Sequence, residues 1–271
     1  MDLDTSPDRA PAVAPPYVPG HGLLAGRSVL ITAAAGQGIG FATARRALEE
    51  GARALTISDI HPRRLEEAVA TLQEIAPQTP VAGQLADVTV EEQVQGLIGK
   101  ADAAMEGIDV LVNNAGLGGV KPVVEMTDED WHRVLDVTLN GTFRMTRAGL
   151  RAMMSRRRGT IVNNASVLGW RAQKGQAHYA AAKAGVMALT RCSALEAAEH
   201  GIRVNAVSPS IAMHDFLKRS APEEVLSQLA AREAFGRAAE VWEVANVIMF
   251  LASDYASYMV GEVVSVSSQH A

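Results

Sequence analysis

The stretch Ser28-Val29-Leu30-Ile31-Thr32-Ala33-Ala34-Ala35-Gly36-Gln37-Gly38-Ile39-Gly40 decides the fold. Its first five residues form a short run rich in β-branched and apolar side chains, which predicts a buried strand. Glycines then recur at 36, 38 and 40, and from Ile39 to Glu50 the apolar residues take helical spacing. A glycine-rich strand-to-helix turn lets backbone N–H groups approach a pyrophosphate, and the helix N-terminus favours the anion. Glycine clusters also make ordinary tight turns. Here an acid, Asp59, follows a second strand-like run nineteen residues after Gly40, and the pair reads as a dinucleotide site.

Outward from this unit the chain alternates. Strand-like runs are Ser28–Thr32, Ala54–Ser58, Val81–Leu85, Val110–Asn113, Thr160–Asn163, Arg203–Val207 and Val263–Val266. Helical spacing covers Ile39–Glu50, Arg63–Ile75, Val90–Met105, Asp128–Ser155, Ala177–His200 and Val241–Ser253. Apolar strands separated by helix-length connections predict an α/β fold: one doubly wound, Rossmann-type domain over 23–271, with a seven-stranded parallel sheet and helices on both faces. Residues 211–236 look inserted before the last long helix and are expected to help bind substrate. Residues 1–22 hold five of the eleven prolines (Pro7, Pro11, Pro15, Pro16, Pro19) and few bulky apolar side chains, so a flexible tail is expected.

Composition narrows the function classes. The chain has 271 residues, 48% hydrophobic and 20% charged, with a net charge of -5. That balance argues against a nucleic acid or an anionic membrane as the main partner. No apolar stretch reaches the roughly 20 residues of a membrane helix, and the N-terminus lacks the pattern of a signal peptide. The single cysteine, Cys192, cannot form an internal disulfide, and no Cys/His cluster suggests a metal site. The expectation is a cytoplasmic protein with a small-molecule substrate and no metal.

A carboxylate at Asp59 can accept hydrogen bonds from both hydroxyls of an adenosine ribose. It would repel a 2′-phosphate by about 4 kcal/mol, for unit charges roughly 4 Å apart at an effective dielectric of about 20. NAD is therefore expected rather than NADP. Arg63 and Arg64, on the following helix, are the counter-argument.

Tyr179 and Lys183 stand four apart at the start of a predicted helix and share a face. An ammonium beside a phenol favours phenolate and brings tyrosine towards useful base strength. Ser166, thirteen residues upstream at a strand end, can donate to a carbonyl or alkoxide oxygen, although alone it would read as a cap.

With these motifs in order, the chain from Gly22 to Val266 resembles the short-chain dehydrogenase/reductase family. The resemblance rests on the glycine loop, Asp87-Val88 after the third strand, Asn113-Asn114-Ala115-Gly116 after the fourth, Ser166, Tyr179 with Lys183, and Ser208-Pro209 after the sixth. It implies catalysis by Ser166, Tyr179 and Lys183. It implies cofactor contacts from Gly36, Gln37, Gly38, Ile39, Asp59, Asp87, Val88, Asn114, Ala115, Gly116, Tyr179, Lys183, Pro209 and Ile211. Tyr179 would exchange a proton with the substrate oxygen, Lys183 would bind the nicotinamide ribose, and Ser166 would orient the substrate. The family's pairing of long helices implies a homotetramer, with Asp128–Ser155 and Ala177–His200 as the pairing elements.

Several positions depart from the family pattern. Ala33-Ala34 replaces the usual Thr-Gly, and Ser210 and the tail Ser265-Val266-Ser267-Ser268 are also atypical. Thr138 stands where the family has an asparagine that holds a relay water; its hydroxyl is expected to serve an altered relay, and Asn140 lies on the wrong side of a helix to replace it. Substrate walls are expected from Leu168, Trp170, Leu117 and Phe216, a further substrate contact from His214, and cationic groups at the mouth from Arg171, Lys174, Lys218 and Arg219. The stretches 32–36, 163–173 and 208–212 resemble, within the family, actinobacterial dehydrogenases of steroid catabolism that act on a hydroxy-methyl-oxo-indane coenzyme A thioester. The alternatives are a 3-oxoacyl thioester reductase of fatty-acid type using NAD(P)H, and a non-catalytic dinucleotide sensor.

Overall fold

Ser28–Thr32 forms strand β1 with all five residues buried. This computed structural model describes residues 12–214, Leu217 and 223–268. Along the chain follow α1 (Ile39–Glu49), β2 (Ala54–Asp59), α2 (Pro62–Ile75), β3 (Val81–Leu85), α3 (Glu91–Ala104), β4 (Val110–Asn113), α4 (Asp128–Leu135), α5 (Gly141–Met154) and β5 (Gly159–Asn164). Then come α6 (Ala177–Ala198), β6 (Ile202–Pro209), β7 (Ala212–Met213), α7 (Glu223–Ala231), β8 (Ala239–Glu240), α8 (Val241–Ala252) and β9 (Val263–Val266).

Seven strands form one parallel sheet in the order β3-β2-β1-β4-β5-β6-β9. The period-2 geometry of a strand sends Val29 and Ile31 to one face, where they pack with Ala44 and Ala47 of α1 and Val244 and Ile248 of α8. Leu30, between them, joins Leu111, Ile161 and the Met145 and Met153 side chains of α5 on the opposite face. The strand order reverses between β1 and β4. In an open parallel sheet this opens a crevice beyond the carboxyl ends of those two strands, where ligands bind.

Three departures from the sequence reading have physical causes. The segment read as one helix from Asp128 to Ser155 is interrupted by a π turn over Asp136–Asn140, and Thr142 Oγ1, just past it on α5, donates to the Thr138 carbonyl at 2.7 Å. Such turns carry one extra residue and re-aim the side chains around them. The inserted region is anchored by β7, which pairs in parallel with β8.

The third departure is the N-terminal segment. From Ala12 on, the stretch expected to be a flexible tail is instead held against α1 and α8. Ala12 N donates to Phe235 O at 2.8 Å, and the Tyr17 ring meets Trp242 edge-on at 5.4 Å. Arg46 on α1 and Glu50, the residue that ends it, are 3% and 0% exposed and pair at 3.0 Å. Glu50 also accepts from His21 N at 2.8 Å and Leu23 N at 3.0 Å, while the Arg46 guanidinium donates to the carbonyls of Val18 and Pro19. Prolines lack an N–H but keep the carbonyl, so this chain suits a buried multi-donor guanidinium.

Candidate active site

A cleft of about 2120 Å³ runs along the carboxyl edge of the sheet. Small-molecule pockets typically measure about 300–1,000 Å³, so this one has room for two molecules side by side. Each of the fourteen residues expected to contact a dinucleotide borders it.

At one end lies the turn from β1 to α1. No side chain caps α1, and its first turn carries no acid, so its N–H groups face the cleft without a competing carboxylate. Gly40 is required by close approach: a Cβ there would lie 2.4 Å from Ala33 O and 2.5 Å from Asn114 Nδ2. Around Gly36, by contrast, a Cβ would meet nothing within 4 Å, which leaves open space in front of the backbone. The Asp59 carboxylate accepts from Ala35 N at 3.3 Å and His61 N at 3.1 Å. Burial raises its pKa, offset by the hydrogen bond from Ala35 and by Arg64. Arg64 Nη2 stands 4.0 Å from Asp59, whereas Arg63 turns out to Glu67 and is largely exposed. The loop, the helix end and the acid together fit an adenosine diphosphate group.

The second half of the cleft gathers Ser166, Tyr179 and Lys183. Ser166 follows β5 and, as a serine at a strand end can, caps a short 3₁₀ turn by accepting from Leu168 N at 3.2 Å. Its hydroxyl also bonds the Tyr179 phenol, so one serine does both. Lys183 Nζ lies 5.6 Å from the Tyr179 ring centroid and donates to the backbone carbonyl of Asn164. The expected lowering of the tyrosine pKa is corrected here. Burial pushes the phenol up, the Ser166 hydrogen bond opposes it, and burial lowers Lys183 to about 8. Desolvation of the charged forms outweighs the attraction between ammonium and phenolate.

Thr138 also differs from expectation. It is 0% exposed, and its hydroxyl accepts from Leu117 N at 3.0 Å and donates to Leu117 O at 3.1 Å. Its only proton is committed, so Thr138 positions the loop after β4 rather than serving a relay. Asn140 bonds Asp136 at 3.1 Å and lies outside the cleft lining.

Of the expected substrate residues, Leu168 and Arg171 line the cleft, as do Leu117 and Lys174. Arg171 approaches Ser267 Oγ at 3.5 Å. Trp170 is 49% exposed and does not border the cleft, because the 3₁₀ turn after Ser166 carries it past the opening. His214 sits beside the glycine loop, its ring 3.9 Å from where a Gly38 Cβ would be, and accepts from Leu217 N at 3.2 Å. Phe216, Lys218 and Arg219 lie outside the described residues. Two contacts were missed from sequence. Gly118 lies against the Tyr179 ring, a Cβ there reaching 3.5 Å, and Asn164 holds Lys183. The signals were the repeated glycines at 116, 118 and 119, and a second asparagine at a strand end where an apolar residue is ordinary.

A family model described as "Enoyl-(Acyl carrier protein) reductase" matches residues 33–268. The chain is 62% identical over 260 residues to the "(5R,7aS)-5-hydroxy-7a-methyl-1-oxo-2,3,5,6,7,7a-hexahydro-1H-indene-carboxyl-CoA reductase" of Mycobacterium tuberculosis, covering 96% of this chain and 98% of that one. It is 38% identical to a 3-oxoacyl-[acyl-carrier-protein] reductase of Thermotoga maritima, covering 90% and 97%. A crystal structure of a short chain dehydrogenase from Mycobacterium smegmatis superimposes with a TM-score of 0.85 at 58% identity, covering 96% of this chain and 99% of that one.

Proposed function

The chain belongs to the short-chain dehydrogenase/reductase family of nicotinamide-dinucleotide oxidoreductases, and from that premise we propose that it interconverts a secondary alcohol and a ketone on a hydroxy-methyl-oxo-indane coenzyme A thioester, with NAD as cofactor. One observation carries the reading. A single cleft joins the glycine loop and Asp59 to Ser166, Tyr179 and Lys183, and continues onto apolar walls at Leu117, Leu168, Leu226 and Leu229, with the cations Arg171, Lys174 and Arg232 beside them. An apolar wall suits a fused ring, and guanidinium groups suit phosphates.

When bound, NAD(H) supplies or accepts hydride at nicotinamide C4. The protein's part is to orient the carbonyl or hydroxyl through Ser166 and to move a proton at the Tyr179 oxygen. With its pKa raised by burial, Tyr179 carries a proton at neutral pH. That state donates to the oxygen of a ketone as hydride arrives at its carbon, so the resting site is set for reduction. Alcohol oxidation needs the phenol proton to leave first, and the Lys183 charge favours that loss. Lys183 also has N–H donors for a ribose. The roles of the fourteen cofactor contacts and of Arg171 follow the same reading, as do a cytoplasmic location and a homotetramer. Among the described residues, no helix is long and apolar enough to cross a membrane.

A second reading, a straight-chain 3-oxoacyl thioester reductase, draws on Arg64, whose position beside Asp59 tempers repulsion of a 2′-phosphate. Initial rates decide between them, measured with NAD(H) and NADP(H) on the hydroxy-indane coenzyme A thioester and on a short 3-hydroxyacyl one, each with its ketone. Preference for the bicyclic compound with NAD(H) is expected. Preference for the straight chain would transfer the assignment, and turnover of neither would overturn both.

A further inference from the structure

Asn164, the last residue of β5, is held from both ends of the cleft. Its backbone carbonyl accepts from Lys183 Nζ. Its side-chain Nδ2 donates to Asn114 Oδ1 at 2.9 Å. Asn114 Nδ2 in turn donates to the carbonyls of Thr32 at 3.2 Å and Ala33 at 3.0 Å. Ala33 is the turn residue that leaves β1 with a φ of 51°, a left-handed conformation that costs a residue with a side chain. The two Asn114 bonds lie at that turn, against the Gly40 backbone described above.

An unbroken path thus runs from ammonium to phosphate loop, and Asn164 is its middle link. The path is rigid, since Asn164 is locked in sheet register opposite Val207. Asn164 Oδ1 is buried and has no hydrogen-bond partner among the described residues. At Thr138 the hydroxyl is spent on Leu117, so that residue gives Lys183 no hydrogen bond.

We propose that Asn164 is a positioning residue that couples the order of the Thr32–Ala33 turn to the placement of the Lys183 ammonium. The inference rests on the dinucleotide reading above. Around Lys183, Tyr179 is the titratable neighbour on α6. The contacts from β5 and from the loop after β4, Asn164 and Gly116, are uncharged, as is Thr138 of the π turn across Gly116. Burial alone accounts for the lowered lysine pKa of about 8.

The test uses two probes on the full chain. ADP fills the phosphate loop but lacks the nicotinamide half that would approach Lys183. NADH binding, followed by its fluorescence across pH, reports the lysine. In Asn164→Leu, a substitution of similar size, ADP binding should weaken about five- to tenfold, as expected for one lost buried hydrogen bond. In the same variant the inflection of NADH affinity near pH 8 should move by about half a unit or more. Unchanged ADP affinity would overturn the proposal, as would weaker ADP with an unmoved inflection, which would mean a purely local packing role. If the leucine variant fails to fold by circular dichroism, Asn164→Ser removes the same bond with a polar side chain. Binding of neither ADP nor NADH by the unaltered protein would instead sink the dinucleotide reading, a result distinct from either.

Discussion

The Thr138 hydroxyl bridges both backbone polar groups of Leu117, at 3.0 Å to the N–H and 3.1 Å to the carbonyl. A side chain on a helical π turn thereby fixes the loop that brings Leu117 and Gly118 to the cleft. Thr138→Val keeps the shape and removes both bonds, leaving two partly buried backbone groups at the cleft without their side-chain partner. Stability should fall by about 1 kcal/mol, measured by chemical denaturation, and substrate KM should rise more than kcat falls. Unchanged stability would show that the loop is held by other contacts.

Asp59 and Arg64 set cofactor choice between them. Asp59→Ala removes the carboxylate and leaves Arg64 free to meet a 2′-phosphate. The ratio of kcat/KM for NADP to that for NAD should rise about tenfold or more. Arg64→Ala should shift the ratio the opposite way. A ratio untouched by Asp59→Ala would mean that the carboxylate does not read the ribose.

The Lys183 ammonium is present below its pKa of about 8 and lost as pH rises through it. Ketone reduction that depends on this charge should therefore lose kcat/KM above about pH 8. Lys183→Met should be slow at every pH and lack that limb. Stability has the reverse sign. Because the folded pKa lies below the ordinary lysine value of about 10.5, the unfolded chain holds more protons between about 8 and 10.5, and this group's contribution to stability rises across that window.

Tyr179→Phe removes the one proton that the proposed reaction moves through the protein. Turnover should drop about 10²–10⁴-fold, while NADH affinity changes less than about twofold, since the ring and its contact with Gly118 remain. Turnover retained by the phenylalanine variant would take the tyrosine out of its role.

The alternation of strand and helix, and with it the sheet, follows from residue pattern alone. Runs such as Ser28–Thr32 can be buried on both faces only between two helix layers, and a right-handed crossover leaves few topologies open. The same pattern also points to Ser166 by its place after a strand, and to Tyr179 with Lys183 because residues four apart on a helix share a face whatever surrounds them. Other features depend on distance across the sheet, which no local pattern encodes. The sign of the Tyr179 shift is a balance of burial against charge. The commitment of Thr138 depends on where a loop twenty-one residues away returns, and Trp170 leaves the cleft through one 3₁₀ turn. Residues 12–22 read as loose because their composition has little to bury; they are held because the Arg46–Glu50 pair at the end of α1 needs backbone partners, and a pairwise demand of that kind has no period or composition to betray it in a sequence.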